Sequence, residues 1–445
     1  MKKILILGAG LSSSSMIKYL LDHSKENNWK VKVGDMSLEL AKRKIGGHEN
    51  GEAFQFDVFN EAQRIEEIKN ADYVVSMLPA RFHPLVAEKC VEFGKHMFTA
   101  SYVSKEMKEL HQKAVEKGLL LLNEIGVDPG IDHMSAMKVI DEIKAEGGEM
   151  LAFTSSTGGL VAPEFDNNPW NYKFTWNPRN VVVAGQSVAQ YIDHGKYKFV
   201  PYHQLFRRTE KMSVLHVGEF EMYPNRDSLS YRETYNLQNI PTILRGTLRR
   251  PGYCEAWNVF VSLGVTDDTY VIENSENLTY REFINSYLPY DENDTVEQKI
   301  CNYTGIQMDS ETMSRLKWLG IFENVKIGLP NATPAQILQK ILEEKWALGP
   351  EDKDMIVMQH KFDYKLNGKN KRKLSSLVVI GKDQVHTAMS ITVGVPVAIA
   401  IKLFHTGVIK RTGVIVPTMK DIYEPVLNEL EEYGIKFIEE EIVLD

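Results

Sequence analysis

An alternation of apolar strands and amphipathic helices over residues 3–122 constrains the fold more than any other feature of the chain. Lys3 to Leu7 is a strand that is apolar from Ile4 on, Gly8-Ala9-Gly10-Leu11-Ser12-Ser13 follows it, and Met16, Ile17, Leu20 and Leu21 mark a helix. Val31 to Asp35, Ala53 to Val58, Tyr73 to Met77, His96 to Thr99 and Leu119 to Leu122 then read as strands with helical stretches between them. Strands without polar alternation are buried on both faces, and strand–helix–strand crossovers place helices on both sides of a parallel sheet. The predicted class is α/β, opening on a Rossmann-type parallel sheet domain.

The first turn of this pattern has the form of a dinucleotide site. Gly8 permits a tight turn, Gly10 lets backbone approach a pyrophosphate, and the following helix offers its N-terminal amides to the phosphate charge. Ser13 stands where a third glycine is usual, and glycine turns also join strands to helices without any ligand. Asp35 ends the second strand, where a carboxylate accepts hydrogen bonds from ribose hydroxyls and repels a 2′-phosphate. NAD is the expected coenzyme; Lys42 and Arg43, close by in sequence, keep NADP open.

Where the alternation stops, the run Asn123-Glu124-Ile125-Gly126-Val127-Asp128-Pro129-Gly130-Ile131-Asp132-His133 begins. Pro129 and Gly130 force a sharp turn at the carboxyl end of a strand, the edge at which open α/β sheets bind ligands. Two readings are open: a hinge that turns Asp128 and His133 toward a cleft, or a polar loop whose Asp residues cap the next helix.

Beyond that helix the texture becomes β-rich, with strands expected at Met150 to Thr157, Tyr197 to Val200 and Ala256 to Leu263. Short helical patterns fill about 285–349, and Met355 to Lys365 with Lys373 to Ile380 form a hairpin around Asn367-Gly368. The basic hairpin tip and the acidic Glu439-Glu440-Glu441 read as solvated surface. The expected organisation is a dinucleotide domain of residues 1–129 plus about 388–445, a mixed α+β substrate domain of about 130–284 and 350–387, and a small helical subdomain of about 285–349.

A net charge of -8 argues against a nucleic-acid surface over the whole protein. Cys90, Cys254 and Cys301 lack metal-ligand spacing and offer no disulfide framework, so no metal is expected. The apolar Ile4 to Leu7 is too short for a signal peptide, and no stretch approaches the roughly 20 apolar residues of a membrane span. A cytoplasmic protein with a small-molecule substrate, and neither nucleic acid nor membrane as partner, is expected.

Arginines gather in the middle region. Tyr223-Pro224-Asn225-Arg226-Asp227 and Arg245-Gly246-Thr247-Leu248-Arg249-Arg250 set guanidinium groups beside turn residues, and the planar fork of Arg pairs with carboxylates through two parallel hydrogen bonds. A substrate with several carboxylates is one reading; surface ion pairs are the other, for Arg207, Arg208 and Arg250 above all. The loop from Gly158 to Trp176 could close over a ligand, with Trp176 as a wall, or pack on the sheet.

Taken together, Gly8-Ala9-Gly10, Thr99 to Ser104, Asn123 to His133, Gly158-Gly159-Leu160, Ala162-Pro163-Glu164, Asp166 to Pro169, Tyr223 to Asp227, Arg245 to Arg249 and Thr412-Gly413-Val414 with Pro417 resemble the L-glutamate-forming saccharopine dehydrogenases. The resemblance runs over essentially the whole chain. It implies NAD(P)-dependent, reversible oxidation of saccharopine to L-glutamate and 2-aminoadipate 6-semialdehyde in lysine metabolism, by a homodimer. Saccharopine's three carboxylates would account for the arginines.

By motif match, Ser101, Tyr102, Asp128, Trp176, Arg226, Arg245, Gly246 and Thr247 would contact substrate. Gly8, Gly10, Leu11, Ser12, Asp35, Met36, Ser37, Asp57, Val58, Leu78 and Pro79 would contact the coenzyme. Asp128 and Tyr102 are the candidate catalytic residues, with His133 a further candidate base that more simply buttresses its helix. Two departures stand out: Asp35-Met36-Ser37 replaces the basic residue expected after the second strand of NADP-using members, and Thr157 stands where the family has Cys. The competing readings are a dehydrogenase of a related carboxyalkyl amine of the carboxynorspermidine type, and a nonenzymatic dinucleotide sensor.

Overall fold

The computed structural model describes residues 1–444. They cluster into two compact units, Met1–Glu149 with Leu377–Ile438, and Met150–Ser376 with the tail from Glu439.

In the first unit, β1 (Lys2–Leu7), β2 (Trp29–Asp35), β3 (Gly51–Gln55), β4 (Tyr73–Ser76), β5 (His96–Phe98) and β6 (Leu120–Leu122) alternate with α1 (Ser14–Asp22), α2 (Leu38–Ile45), α3 (Glu61–Lys69), α4 (His83–Phe93), α5 (Lys105–Glu109) and α6 (His111–Glu116). α7 (Ile131–Ala145) follows β6 after the turn at Pro129. The strands form one sheet in the order β6-β5-β4-β1-β2-β3, with the late strand Gly413–Ile415 on the β6 edge. Every pairing in it is parallel. All the carboxyl ends of the strands therefore share one edge. Leu5, Leu7, Val74, Val86, Cys90, Met97 and Leu121 are buried together in one of its cores.

The helix Ala388–His405 corrects one expectation. With 18 residues and a mean hydropathy of 1.6, it is long and apolar enough to cross a membrane, yet 78% of it is buried. It is apolar all round because it lies inside the unit, packed on α1 and on the helix Lys420–Leu430. Its first turn meets α1 through Ser390, whose Oγ accepts the Ser15 N–H at 3.0 Å. Gly394 allows the close approach, since a Cβ there would stand 3.0 Å from both the Met16 nitrogen and the Ser12 carbonyl oxygen.

The second unit holds a mixed sheet in which the strand Thr242–Arg249 runs parallel to Glu149–Val161 and antiparallel to Glu219–Pro224. Helices Tyr280–Asn285, Val296–Thr304, Glu311–Trp318 and Pro334–Trp346 belong to the same unit. The stretch expected as a strand at Ala256 to Leu263 is instead part of a helix, Tyr253–Leu263. Only Glu255, Asn258 and Ser262 are not buried, at the three- and four-residue spacing of one helix face, and the short apolar stretches between them read as a strand when taken alone.

The hairpin forms as expected around Asn367 and Gly368, whose φ values of 51° and 79° suit a tight turn that needs the left-handed region twice. Its basic residues are paired rather than simply solvated: Arg372 grips Asp363 through two hydrogen bonds of 2.6 and 2.8 Å, and Lys371 binds Glu441 at 2.7 Å.

Candidate functional site

Four strand ends define the dinucleotide half of the candidate site. β4, β1, β2 and β3 are adjacent, so Leu78-Pro79, the Gly8-Gly10 turn, Asp35-Met36-Ser37 and Asp57-Val58 follow one another along the carboxyl edge. The two glycines are needed for different reasons. Gly8 has φ 105°, and a Cβ on it would stand 2.8 Å from the Met77 carbonyl oxygen; a Cβ on Gly10 would meet nothing within 4 Å. Gly8 thus closes the turn against β4, and Gly10 leaves open space before the helical amides that follow. An amide-lined opening at a helix start fits a pyrophosphate. Leu11 and Met36 are exposed, as residues in contact with a ligand must be before it binds.

Asp35 does more than the sequence implies. Its Oδ2 accepts the Ala9 N–H at 2.8 Å and its Oδ1 the Ser37 N–H at 2.9 Å, so the carboxylate ties the glycine turn to the end of β2. Asp57 makes a similar local tie, accepting the Phe59 N–H at 2.9 Å. Of the α2 cations, Lys42 pairs with Glu39 at 3.1 Å and Lys44 donates to Ser14, while Arg43 is exposed.

Ser101, Tyr102 and Asp128 lie beyond β5 and β6, again on the carboxyl edge. The Tyr102 hydroxyl donates to Asp128 Oδ1 at 3.1 Å. The loop that carries Asp128 is rigidly specified. Gly130 adopts φ 148° with its Cα packed on Gly126, where a Cβ would come within 2.1 Å of the Gly126 oxygen, and the Asp128-Pro129 bond is cis. Asp132 is fully buried and accepts the Gly130 and His133 N–H groups at 2.6 and 2.8 Å. Both opening readings of the run hold in part: Asp132 serves the turn and the helix start, while Asp128 is left half-buried beside Tyr102.

His133 is completely buried, its Nε2 2.7 Å from Glu124 Oε2, while Glu124 Oε1 accepts the Val103 N–H at 2.9 Å. This is a brace between the β5 and β6 loops and α7.

One residue here escaped the sequence reading. His83 opens α4, is 3% exposed, and bridges Ser76 and Ser101 with Nδ1···Oγ 2.8 Å and Nε2···Oγ 2.7 Å. Burial pushes its imidazole down from 6.5 to about 4, so it is neutral at physiological pH. Nothing local in the sequence marks it, because its partners are joined only by sheet register.

In the second unit, Arg245, Thr247 and Arg249 share one face of the strand Thr242–Arg249 by alternation, and Thr247 lies in register with Thr157 and Tyr223. Arg245 is 4% exposed and stacks its guanidinium 4.0 Å above the Tyr231 ring. Gly246 points the other way, where a Cβ would strike the Met222 side chain. Arg226 is exposed in a left-handed turn with φ 42°, and Trp176 is half-buried.

Arg249 is buried among Tyr172, Tyr223 and Tyr253, with ring centroids 5.2 to 5.8 Å away. Burial opposes its charge, but the surrounding tyrosines outweigh that and raise its pKa. Thr157 Oγ1, Tyr172 Oη, Thr175 Oγ1 and Arg249 Nε are buried without a hydrogen-bond partner. Buried polar atoms of this kind are uncommon in folded proteins, and Thr157 and Arg249 flank Thr247 in register or along its strand. The burial of Arg249 among tyrosines was not expected from sequence.

The described residues contain no cluster of His, Cys, Asp or Glu able to hold a metal ion. The three cysteines are separate and buried.

Comparison with known proteins agrees with this arrangement. Residues 4–122 match the family model described as the saccharopine dehydrogenase NADP binding domain, and residues 126–435 match the saccharopine dehydrogenase C-terminal domain. A Schizosaccharomyces pombe protein named saccharopine dehydrogenase [NADP(+), L-glutamate-forming] is 33% identical, with 100% of this chain and 99% of that one aligned. The alpha-aminoadipic semialdehyde synthase of Mus musculus, a mitochondrial protein, is 34% identical over 98% of this chain and 47% of its own length. The solved apo saccharopine dehydrogenase (L-Glu forming) from Saccharomyces cerevisiae superposes with a TM-score of 0.89 at 31% identity, covering 99% of this chain and 100% of that one. The Schizosaccharomyces pombe dehydrogenase and its Saccharomyces cerevisiae counterpart are named for NADP(+), so an NAD(P) cofactor is supported with NADP the relatives' form, whereas Asp35 alone pointed to NAD. An oxidoreductase fold with a parallel dinucleotide sheet, matched over its full length, establishes that this chain belongs to the saccharopine dehydrogenase family.

Proposed function

We propose that this protein oxidises L-saccharopine to L-glutamate and L-2-aminoadipate 6-semialdehyde with NAD(P)+, in lysine metabolism. The observation that carries the reading is the full-length likeness to relatives named for that reaction. In this reading the Gly8-to-Ser12 turn would hold the pyrophosphate, Asp35 to Ser37 and Asp57-Val58 the adenosine half, and Leu78-Pro79 the nicotinamide half. The bound coenzyme supplies the hydride acceptor.

The carbon that loses hydride joins the lysine-derived chain to the secondary amine. Its oxidation gives a C=N bond, which water opens to aldehyde and glutamate amine. Asp128, oriented by the Tyr102 hydroxyl, accepts a hydrogen bond from the substrate amine, takes its proton as the C=N bond forms and passes that proton to solvent; the regenerated carboxylate then takes a proton from the water that adds to the C=N carbon. Arg226, Arg245 and Thr247 bind substrate carboxylates, and Trp176 packs on its aliphatic chain. We extend the reading to a homodimer in the cytoplasm, to be checked by light scattering and cell fractionation.

The test is steady-state kinetics of the purified chain with saccharopine and with carboxynorspermidine, using NAD and NADP separately. Saccharopine-dependent formation of reduced coenzyme is expected. Turnover of carboxynorspermidine alone would shift the assignment to that substrate class, and tight coenzyme binding with no hydride transfer to either would leave only a sensor.

A further inference from the structure

We infer that His83 is a positioning residue for substrate, holding the Ser101 hydroxyl so that it donates to a carboxylate oxygen. The inference rests on the function proposed above and deepens it. β4 ends at Ser76, α4 begins at His83, and Ser101 lies just past β5, the strand next to β4. Pairing of β4 with β5 therefore brings the two serines to opposite sides of one buried imidazole, with Nδ1···Ser76 Oγ at 2.8 Å and Nε2···Ser101 Oγ at 2.7 Å.

A neutral imidazole has one donating and one accepting nitrogen. The three groups must then form a directed chain. In one direction Ser76 donates to Nδ1, Nε2–H donates to Ser101 Oγ, and the Ser101 proton is left to point away from the ring. In the other direction Ser101 gives its proton to Nε2 and presents only lone pairs. An anionic ligand selects the first direction, since only that one offers it a donor. Burial keeps the ring neutral, so a single tautomer switch rather than a charge sets the direction.

The surroundings favour the same assignment. Ser101 is held from both sides through its backbone: its carbonyl accepts the Glu124 N–H at 3.1 Å, and its own N–H donates to Thr99 Oγ1 at 3.3 Å. Its neighbour Tyr102 engages Asp128. A fixed hydroxyl donor beside a carboxylate acceptor is the pair of groups that an amino acid's carboxylate and amine require. The ligand class is thus an α-amino or secondary-amino carboxylate, with Ser101 on the carboxylate.

Two side chains of different reach separate positioning from mere packing. Asn at 83 places its amide near the position of Nδ1 and keeps Ser76 only; Gln reaches toward Nε2 and keeps Ser101. Full-length H83N, H83Q, S101A and the double variant H83N/S101A are compared with the unmodified protein for KM of saccharopine, KM of coenzyme, kcat and melting temperature. H83N is expected to raise the KM of saccharopine about tenfold, the loss of one hydrogen bond to a charged group, with coenzyme KM unchanged. H83Q stays within about threefold, and H83N/S101A is no worse than S101A alone. Equal effects of Asn and Gln, parallel changes in both KM values, or additivity in the double variant would overturn the His83 assignment alone. An unmodified protein that fails to oxidise saccharopine overturns the proposed function with it.

Discussion

At the end of β2, Asp35 commits both carboxylate oxygens to backbone amides. Charge and tie can be separated. Asp35→Asn retains an acceptor for one amide but removes the charge, so kcat/KM for NADP relative to NAD should rise about tenfold, equivalent to about 1.4 kcal/mol. Asp35→Ala also frees the Ala9 amide and should weaken both coenzymes together. An unchanged NADP:NAD ratio in Asp35→Asn would show that the carboxylate is only a tie. The glycine turn and the strand end at Asp35 were legible in the sequence as local patterns, whereas the tie from Asp35 to the Ala9 amide spans 26 residues and was not. His83 was not, since Ser76 and Ser101 reach it from 7 and 18 residues away. The buried Arg249 was visible as one of several arginines, but its three tyrosine neighbours come from separate segments.

Among the elements, the helix Ala388–His405 reaches furthest into the dinucleotide half, because Gly394 lets it rest on the first turn of α1. Gly394→Ala sets two effects against each other. Alanine favours the helix by up to about 1 kcal/mol, whereas overpacking costs about 1–3 kcal/mol when the neighbour cannot yield. Here the neighbours are the Met16 backbone nitrogen and the Ser12 carbonyl, which move only if the glycine turn and the start of α1 move. Overpacking should win, giving a lower melting temperature and coenzyme binding weakened severalfold in calorimetry. A higher melting temperature with unchanged affinity would contradict this. The strands of the first unit were readable from their apolar runs and the glycines that end them. The helix Tyr253–Leu263 was not, since its narrow polar face of Glu255, Asn258 and Ser262 is easily lost in a run rich in aromatic and β-branched residues.

For the whole molecule, connectivity matters as much as sequence similarity. The chain passes from one unit to the other near residues 149, 376 and 438, so the first unit is built from two separated stretches. A fragment of residues 1–149 would lack the buried helix Ala388–His405, the edge strand Gly413–Ile415 and the helix Lys420–Leu430 that packs on α7. Expressed alone, it should show no cooperative thermal transition, whereas the same fragment joined by a short linker to residues 377–438 should regain one and bind coenzyme. Cooperative unfolding of the bare fragment would refute that dependence. The sequence families draw their border between residues 122 and 126, far from where the structure divides. The Ser15–Ser390 contact spans that border. Descent therefore cannot shuffle this dinucleotide module as a cassette: a crossover at the family border would set a foreign α1 against a resident helix it never evolved beside, and viable chimaeras must inherit head and tail from the same parent.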